Sequence, residues 1–411
     1  MNIYRVGGSV RDELLGRPIA DRDFVVVGAT PEEMLARGFR PVGRDFPVFL
    51  HPETGEEYAL ARTERKRSRG HRGFSFHAAP EVTLEQDLAR RDLTINAMAR
   101  AADGTLVDPH RGEADLRAGI LRHVGPSFVE DPLRVLRVAR FAARFGFSVA
   151  PETEGLLRAI VDGGELATLA PERVWQELAR ALMEAQPSRF FVLLHHCGAL
   201  GQLLPEVEAL FAVASSASGK KEPDAAAQRM RAVDLSASAG EPLPVRYAVL
   251  GCDLAPPAAA PRRASANSRR AAQNARLAAS LSRRLKSPAD CRDLARLAAR
   301  YRTEVERVAE LTPPSLLDLL LAVDALRRPG RFEQFLRACA LDWSSRSGRA
   351  AGDYPAAARL RAARDAVHGV DAGAIAGAGP ERADLIRRIR AARLKALRAW
   401  RGSAGSRQAP R

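Results

Sequence analysis

Val6-Gly7-Gly8-Ser9-Val10-Arg11-Asp12, a short run to Pro18, and then Asp21-Arg22-Asp23-Phe24-Val25-Val26-Val27 is the stretch on which the reading of this chain turns. Residues Asn2 to Val6 read as a short strand and Gly7-Gly8-Ser9 as a tight turn. Val10 to Leu15 reads as one or two helical turns, stopped by Gly16 and Pro18. Phe24 to Val27 is a continuous apolar run suited to a buried strand. Asp21 and Asp23 stand at its start. Alternate strand residues point the same way, so the two carboxylates are expected on one face. Hard oxygen ligands beside a glycine turn rich in backbone N–H groups suit Mg²⁺ and a triphosphate. Gly-Gly or Asp-x-Asp alone is a common surface pattern. Their ordered combination, with the acids at the second strand, is far more specific.

The 411 residues suffice for two or three domains with real cores. Hydrophobic residues make up 46% and charged residues 27%, a globular composition. The net charge of +15 and pI near 10.6 favour a polyanionic partner, most simply nucleic acid. An arginine-rich solvated surface from a GC-rich genome accounts for the charge equally well. Cys197, Cys252, Cys291 and Cys339 are widely spaced with no Cys-x-x-Cys pair, so neither a zinc site nor a disulfide frame is expected. No signal-peptide apolar region opens the sequence and no apolar run is long enough to span a bilayer, which makes the cytoplasm the expected location.

Phe46 to His51 reads as a strand, Pro52-Glu53-Thr54-Gly55 as a turn, and Glu56 to Ala61 as the antiparallel partner. Glu57 could supply a third carboxylate near the Asp pair, although a strand-edge surface position is the plainer reading. Arg62 to Gly73 is basic and glycine-punctuated. It reads as a mobile loop, either a flap over phosphate or a solvated charge run. Val82 to Ala99 is helical in pattern, with Thr83 and Gln86 forming a capping box. It contains Arg90-Arg91-Asp92-Leu93-Thr94-Ile95-Asn96-Ala97-Met98. Arg91 is suited to clamp a triphosphate, or else pairs with Asp87 one turn back.

Asp131 sits where a helix cap belongs, with Pro132 at the first helical position. Arg134, Arg137, Arg140 and Arg144 then fall on one side of that helix, a stripe that suits a polyanion. Val135, Val138 and Phe141 suggest a packed back to it. From Phe147 the chain reads as helices, with Trp175, Leu178 and Leu182 as core. Phe211 to Pro242 and Ala255 to Ala272 loosen to Ala, Ser, Pro and Gly. Gly402 to Arg411 reads as a disordered basic tail.

These motifs, in order and together with Val42-Gly43-Arg44-Asp45-Phe46-Pro47-Val48-Phe49 and Glu130-Asp131-Pro132-Leu133-Arg134, resemble those of the bacterial CCA-adding enzymes, tRNA nucleotidyltransferases of the class shared with bacterial poly(A) polymerases. The resemblance is close over roughly residues 1 to 210. It implies an α+β fold: a polymerase-beta-like head on a small mixed sheet (1–123), a helical neck that binds nucleotide and RNA (124–210), and a helical body and tail (211–411). It implies template-independent building of the 3′-terminal C-C-A of tRNA from CTP and ATP, with tRNA as partner. Asp21 and Asp23 would hold Mg²⁺. Gly8, Arg11 and Arg91 would contact the triphosphate, and Asp131, Arg134, Arg137 and Arg140 match the nucleotide-binding motif. Gly-Arg-Arg-Phe is usual in the poly(A) polymerases where this chain has Gly43-Arg44-Asp45-Phe46-Pro47, which favours CCA addition. Some relatives also carry a histidine–aspartate metal phosphohydrolase domain. Here Gly251-Cys252-Asp253-Leu254 stands in the place of His-Asp, and no histidine lies between His196 and His368. That region is therefore expected to be a degenerate relic without phosphatase or cyclic phosphodiesterase activity. A non-catalytic RNA-binding protein is the reading from another class, and the intact carboxylate pair argues against it.

The Asp131–Arg134 pair has a chemical logic of its own. Cytosine and adenine each show an amino donor beside a ring-nitrogen acceptor, the pattern that a carboxylate and a guanidinium complement. Uracil and guanine show the opposite order. A mispaired contact costs on the order of 1–3 kcal/mol, more for charged groups. Asp131→Ala is expected to blur base choice more than it weakens triphosphate binding, as read from relative kcat/KM for the four nucleoside triphosphates.

Overall fold

The computed structural model describes residues 1–19, 21–42, 48–66, 74–212, 225–255, 264–376 and 382–406. The chain divides into two compact units, Met1–Pro205 and Glu206–Arg411.

The first unit opens with β1 (Asn2–Val6), α1 (Gly8–Leu14) and β2 (Asp23–Val27). Next come α2 (Pro31–Ala36), β3 (Arg40–Val42), β4 (Val48–Leu50) and β5 (Glu57–Leu60). β6 (Arg62–Lys66) and β7 (Phe74–Ala78) form a separate antiparallel ribbon. α3 (Leu84–Ala89), β8 (Ala99–Arg100), β9 (Leu106–Val107) and α4 (Gly112–Ala118) follow. The main sheet is mixed and seven-stranded, in the order β3-β4-β5-β2-β1-β8-β9. β2 is its hinge of polarity, antiparallel to β1 and parallel to β5. Val25 and Val26 of β2 enter opposite cores, as strand alternation requires. One holds Val6, Leu84 and Leu88, the other Met34, Phe49 and Tyr58.

β10 (Ile120–Leu121) and α5 (Leu133–Phe145) lead away from the sheet. β11 (Ser148–Val149) pairs in parallel with β10. Then come α6 (Pro151–Asp162), α7 (Pro171–Met183), α8 (Ser188–His196) and α9 (Ala199–Leu203). Trp175 is in the core, as its spacing with Leu178 and Leu182 suggests.

Several local expectations are corrected. The helical pattern over 82–99 yields α3, properly capped by Thr83 and Gln86, and then only a single 3-10 turn at Thr94–Asn96. After Ala89 the chain turns, because Leu93 pairs with His123 and Thr94 is drawn against Gly112. A Cβ on Gly112 would lie 2.2 Å from the Thr94 carbonyl oxygen, so only glycine fits there. The basic stretch from Arg62 begins as strand β6 rather than loop, and residues 67–73 lie outside the described residues. The Gly43–Pro47 part of the sequence argument also lies outside them.

The second unit is helical among its described residues. α10 (Pro205–Ala212) begins at the boundary. α11 (Ala225–Ser238), α12 (Leu243–Gly251), α13 (Ala264–Arg284), α14 (Ala289–Glu306), α15 (Pro313–Ala322), α16 (Pro329–Ser347), α17 (Pro355–His368), α18 (Ala372–Ala376) and α19 (Arg382–Ser406) follow. Residues 225–238 were read as loosened sequence and are a helix. Their small side chains, Ala226, Ala232 and Ser236, are buried beside Met230 and Val233. Likewise α19 continues through 402–406, where a disordered tail was expected. The four cysteines are free and buried.

An ion-pair network lies inside this unit. Arg302 spans two carboxylates, Asp342 Oδ2 and Asp253 Oδ2, both at 2.8 Å. Arg229 donates to Asp342 Oδ1 at 2.9 Å, to Cys252 Sγ at 3.0 Å and to the Val249 carbonyl. Burial alone would raise the Asp342 carboxyl, but Arg302, Arg229 and Arg346 outweigh it and hold it well below the carboxylate range. Burial pushes the Cys252 thiol up to about 12, so it stays protonated. Asp342→Asn leaves two buried guanidinia short of a counter-charge. It is expected to destabilise the second unit by about 3–5 kcal/mol. The carboxyl is depressed in the folded state, so its contribution is present above about pH 4 and lost as pH falls through the folded value. Urea melts at several pH values should show that the Asn variant has lost this part of the acid sensitivity.

Candidate active site

The site is built from the turn at Gly7 upward. Gly7 has φ +70°, and a Cβ there would meet Arg91 Nη1 at 2.8 Å. Glycine therefore serves twice, for the backbone conformation and for the approach of a guanidinium. The Gly7 N–H donates to the Met98 carbonyl, which ties the turn to the segment that follows α3.

Arg91 donates to Asp87 Oδ2 at 3.2 Å and more weakly to the Asn96 carbonyl. The i,i+4 pairing with Asp87 and a place in the site are thus compatible. Arg90 also donates to Asp87, whose carboxyl burial would raise but whose two arginine partners bring down.

Asp92 is 6% exposed and has four donors. Arg137 contributes two N–H groups at 2.7 Å, Asn96 Nδ2 stands at 3.0 Å and the Leu93 N–H at 2.8 Å. Burial favours its neutral form, but Arg137, Asn96 and Arg134 prevail and keep it well below the carboxylate range. Asn96 in turn accepts from Arg11 Nη1, and Arg11 also binds Asp12. The Arg11 guanidinium lies against the rings of Phe141 and Phe145 of α5, 5.3 and 4.9 Å from their centroids. Burial lowers its pKa from the ordinary arginine value, although Asp12 works against that.

The arginine stripe of α5 is present, but it is not the bare cationic face that was expected. Arg137 takes Asp92, Arg140 takes Glu177 of α7, and Arg144 takes Asp12 of α1. The mutual repulsion of the stripe is relieved by acids from three other elements. Arg134 donates to the carbonyls of Ser127 and Arg90. Asp131 accepts from the Leu133 N–H at 3.0 Å, a cap on α5, and from Arg173 of α7 at 3.2 Å.

Asp23 is the first residue of β2, and Asp21 precedes the strand. The two charges act on each other. Partial desolvation raises the Asp23 carboxyl above its ordinary value, Arg91 opposes the rise, and Asp21 adds to it. Glu57 of β5 is the registered partner of Asp23, so both side chains leave the same face of the sheet.

A cavity of about 480 Å³ gathers these groups. Gly8, Arg11, Asp23, Arg91, Asp131, Arg134, Arg137 and Arg140 all line it, and Asp21 does not. It also holds Gly7 of the turn and Arg144 of the stripe, together with Arg90, Asp92, Asn96 and Arg173, to which the sequence reading assigned no role. Eight arginines face three aspartates in this lining, an excess that suits a ligand with several negative charges. The Arg90-Arg91-Asp92 run and Asn96 were visible as a motif. Arg173 carried no local signal, being one arginine among many.

Comparison with known proteins agrees with this geometry. Residues 3–122 match a family model described as "Poly A polymerase head domain", and residues 146–211 match "Probable RNA and SrmB- binding site of polymerase A". The chain is 55% identical over 393 residues to the "Multifunctional CCA protein" of Chromobacterium violaceum, covering 96% of this chain and 97% of that one. It belongs to the CCA tRNA nucleotidyltransferase family. The chain is also 56% identical over 376 residues to the protein of the same name from Nitrosomonas europaea, covering 92% and 91%. In fold it is similar to the Bacillus stearothermophilus CCA-adding enzyme in complex with CTP, with TM-score 0.64 at 24% identity over 98% of this chain and 89% of that one. A CCA-adding enzyme with ATP gives 0.63 at 21% identity over 96% and 86%. No described helix is long and apolar enough to cross a membrane.

A carboxyl raised by folding penalises the folded state once pH passes the unfolded value. Asp23→Asn removes that penalty together with an acid at the rim of the cavity. Nucleotide incorporation should fall on the order of 10²–10³-fold or more, while the melting temperature stays the same or rises. A loss of both would mark Asp23 as structural.

Proposed function

We propose that this chain adds and repairs the 3′-terminal CCA of tRNA from CTP and ATP, with pyrophosphate as the leaving group and no nucleic-acid template. The observation that carries this reading is the gathering of Asp23, Arg91, Asp131 and Arg134 around one arginine-rich cavity. Phosphate contacts and base recognition are then served within a single space.

Asp21 and Asp23 are the residues that would hold a divalent ion, Mg²⁺ in our reading. They suit it because burial and the neighbouring Asp21 raise the proton affinity of Asp23, and a cation offsets both. When bound, such an ion lowers the pKa of the tRNA 3′-hydroxyl and neutralises charge at the α-phosphate. The chain's own groups do the rest. Gly7 and Gly8 admit a phosphate close to backbone, and Arg91, braced by Asp87, faces the triphosphate. Arg11, Arg137 and Arg140 are anchored by Asn96, Asp92 and Glu177, which fixes the positive wall before any ligand arrives. Asp131 accepts from the amino group of cytosine or adenine, and Arg134 donates to the adjacent ring nitrogen. An isolated buried charge against the wrong base edge is the basis of rejection.

The second unit is read as having lost metal-dependent phosphohydrolase chemistry. Cys252 replaces the histidine expected there. The nearby carboxylates, Asp253 and Asp342, are neutralised by Arg302 and Arg229 and so are poor ligands for a cation. The exposed basic residues of α19, Arg387, Arg388, Lys395 and Arg398, suit phosphate contacts to tRNA.

Incubation of the protein with tRNA lacking its CCA end, Mg²⁺ and each nucleoside triphosphate in turn is expected to give incorporation of CTP and ATP and rejection of UTP and GTP. A homopolymeric adenosine tail grown on arbitrary RNA from ATP alone would assign the chain to poly(A) synthesis instead. Purified protein given a 2′,3′-cyclic nucleotide and divalent metal should release no phosphate, and release would refute the loss of that activity.

A further inference from the structure

Base choice has been given to Asp131 and Arg134, yet a carboxylate discriminates only if it cannot turn away. In this fold its orientation is set jointly by the first residue of α5 and by α7. Asp131 Oδ1 is held by the Leu133 N–H, and Oδ2 is held by Arg173 Nη2 at 3.2 Å. Arg173 lies in the first turn of α7, and the next residue on its face, Glu177, binds Arg140 of α5 at 2.7 Å. α7 therefore grips α5 through two ion pairs of opposite polarity, one at the cap and one nine residues along the chain.

The two differ in burial. Arg140 and Glu177 are 9% and 4% exposed in their side chains, and of the two only Arg140 lines the cavity. Arg173 and Asp131 are 28% and 22% exposed, and both line the cavity. Arg173 makes no other ion pair among the described residues. Arg134, by contrast, is tied to the carbonyls of Ser127 and Arg90.

We propose that Arg173 is a specificity-determining positioning residue, which fixes the Asp131 carboxylate and supplies its counter-charge so that one defined oxygen lone pair meets the incoming base. The proposal rests on the reading of Asp131 as base acceptor. Without Arg173 the carboxylate keeps its backbone cap but loses the restraint on Oδ2. It can then rotate, accept a water, and tolerate the donor pattern of uracil or guanine. A planar fork that holds one oxygen and fills the space beside it is not replaced by a point charge, so lysine should restore the function only in part.

The test compares Arg173→Gln, Arg173→Lys, Asp131→Ala and the double variant Asp131→Ala/Arg173→Gln, each checked by thermal melt. Incorporation of the four nucleoside triphosphates on tRNA lacking its terminal residues is followed at steady state. Arg173→Gln is expected to raise the ratio of wrong to right kcat/KM on the order of tenfold. Inhibition by inorganic triphosphate should stay unchanged. Arg173→Lys should lie between the Gln variant and the parent, and the double variant should be no less selective than Asp131→Ala alone. Unchanged selectivity in Arg173→Gln beside lost selectivity in Asp131→Ala overturns the role of Arg173 and leaves Asp131 its own. Full selectivity in Asp131→Ala overturns both. A weakened inhibition by triphosphate with intact base choice would make Arg173 a phosphate ligand, which also refutes the proposal. Should the Gln variant fail to fold, the Lys variant alone decides, since intact selectivity with its altered geometry is incompatible with a positioning fork.

Discussion

The Asp92 carboxylate, dry and surrounded by donors, is the interaction on which the site depends. It receives Arg137 from α5, Asn96 from its own segment, and a backbone N–H. Asn96 passes the connection to Arg11 in α1. One buried negative charge thereby joins the glycine-turn wall of the cavity to the arginine helix. Burial of such a charge is tolerated only because its donors are satisfied at short range. The same constraint explains why the chain cannot continue α3 past Ala89. The residues after it are committed to tertiary partners.

A second consequence concerns the arginines of α5. A row of like charges on one helix face destabilises it unless partners intervene. Here three of the four are assigned an acid from another part of the fold, Asp92, Glu177 and Asp12, and Arg134 is held by backbone carbonyls. The cavity is therefore positive in sum but rigid in detail. A preorganised wall of this kind stabilises phosphate charge without reorganising when the ligand arrives. The rings of Phe141 and Phe145 contribute by covering Arg11, which keeps its guanidinium away from bulk water while it still faces the cavity.

The second unit solves a similar problem in another way. Asp253 and Asp342 are brought together in a helical interior, where Arg302 bridges them and Arg229 adds a second guanidinium to Asp342. Such a network costs desolvation and gains specificity of packing, since each group has one geometry in which it is satisfied. Cys252, with its thiol kept protonated, fits among these groups as a small, weakly polar neighbour.

The sequence by itself determined the elements whose signals are local. β1, the Gly7 turn, β2, the Thr83 cap and the start of α5 each rest on neighbouring residues, and periodicity or turn chemistry reveals them. It also determined which side chains could carry chemistry, because the motifs are dense in Asp, Arg and Gly at fixed spacing. Tertiary structure alone decided the partners. Arg137 and Asp92 are 45 residues apart, Arg144 and Asp12 are 132 apart, and Arg173 reaches Asp131 across 42. Ion pairs leave no periodic trace in a chain with 64 lysines and arginines. The helix over 225–238 was hidden for a related reason. Small residues show little hydrophobic contrast, and only the helices packed on them reveal which face is buried. A local pattern can name a charged residue, but its counter-charge is chosen by the fold, because electrostatic pairing depends on distance in space and not along the chain.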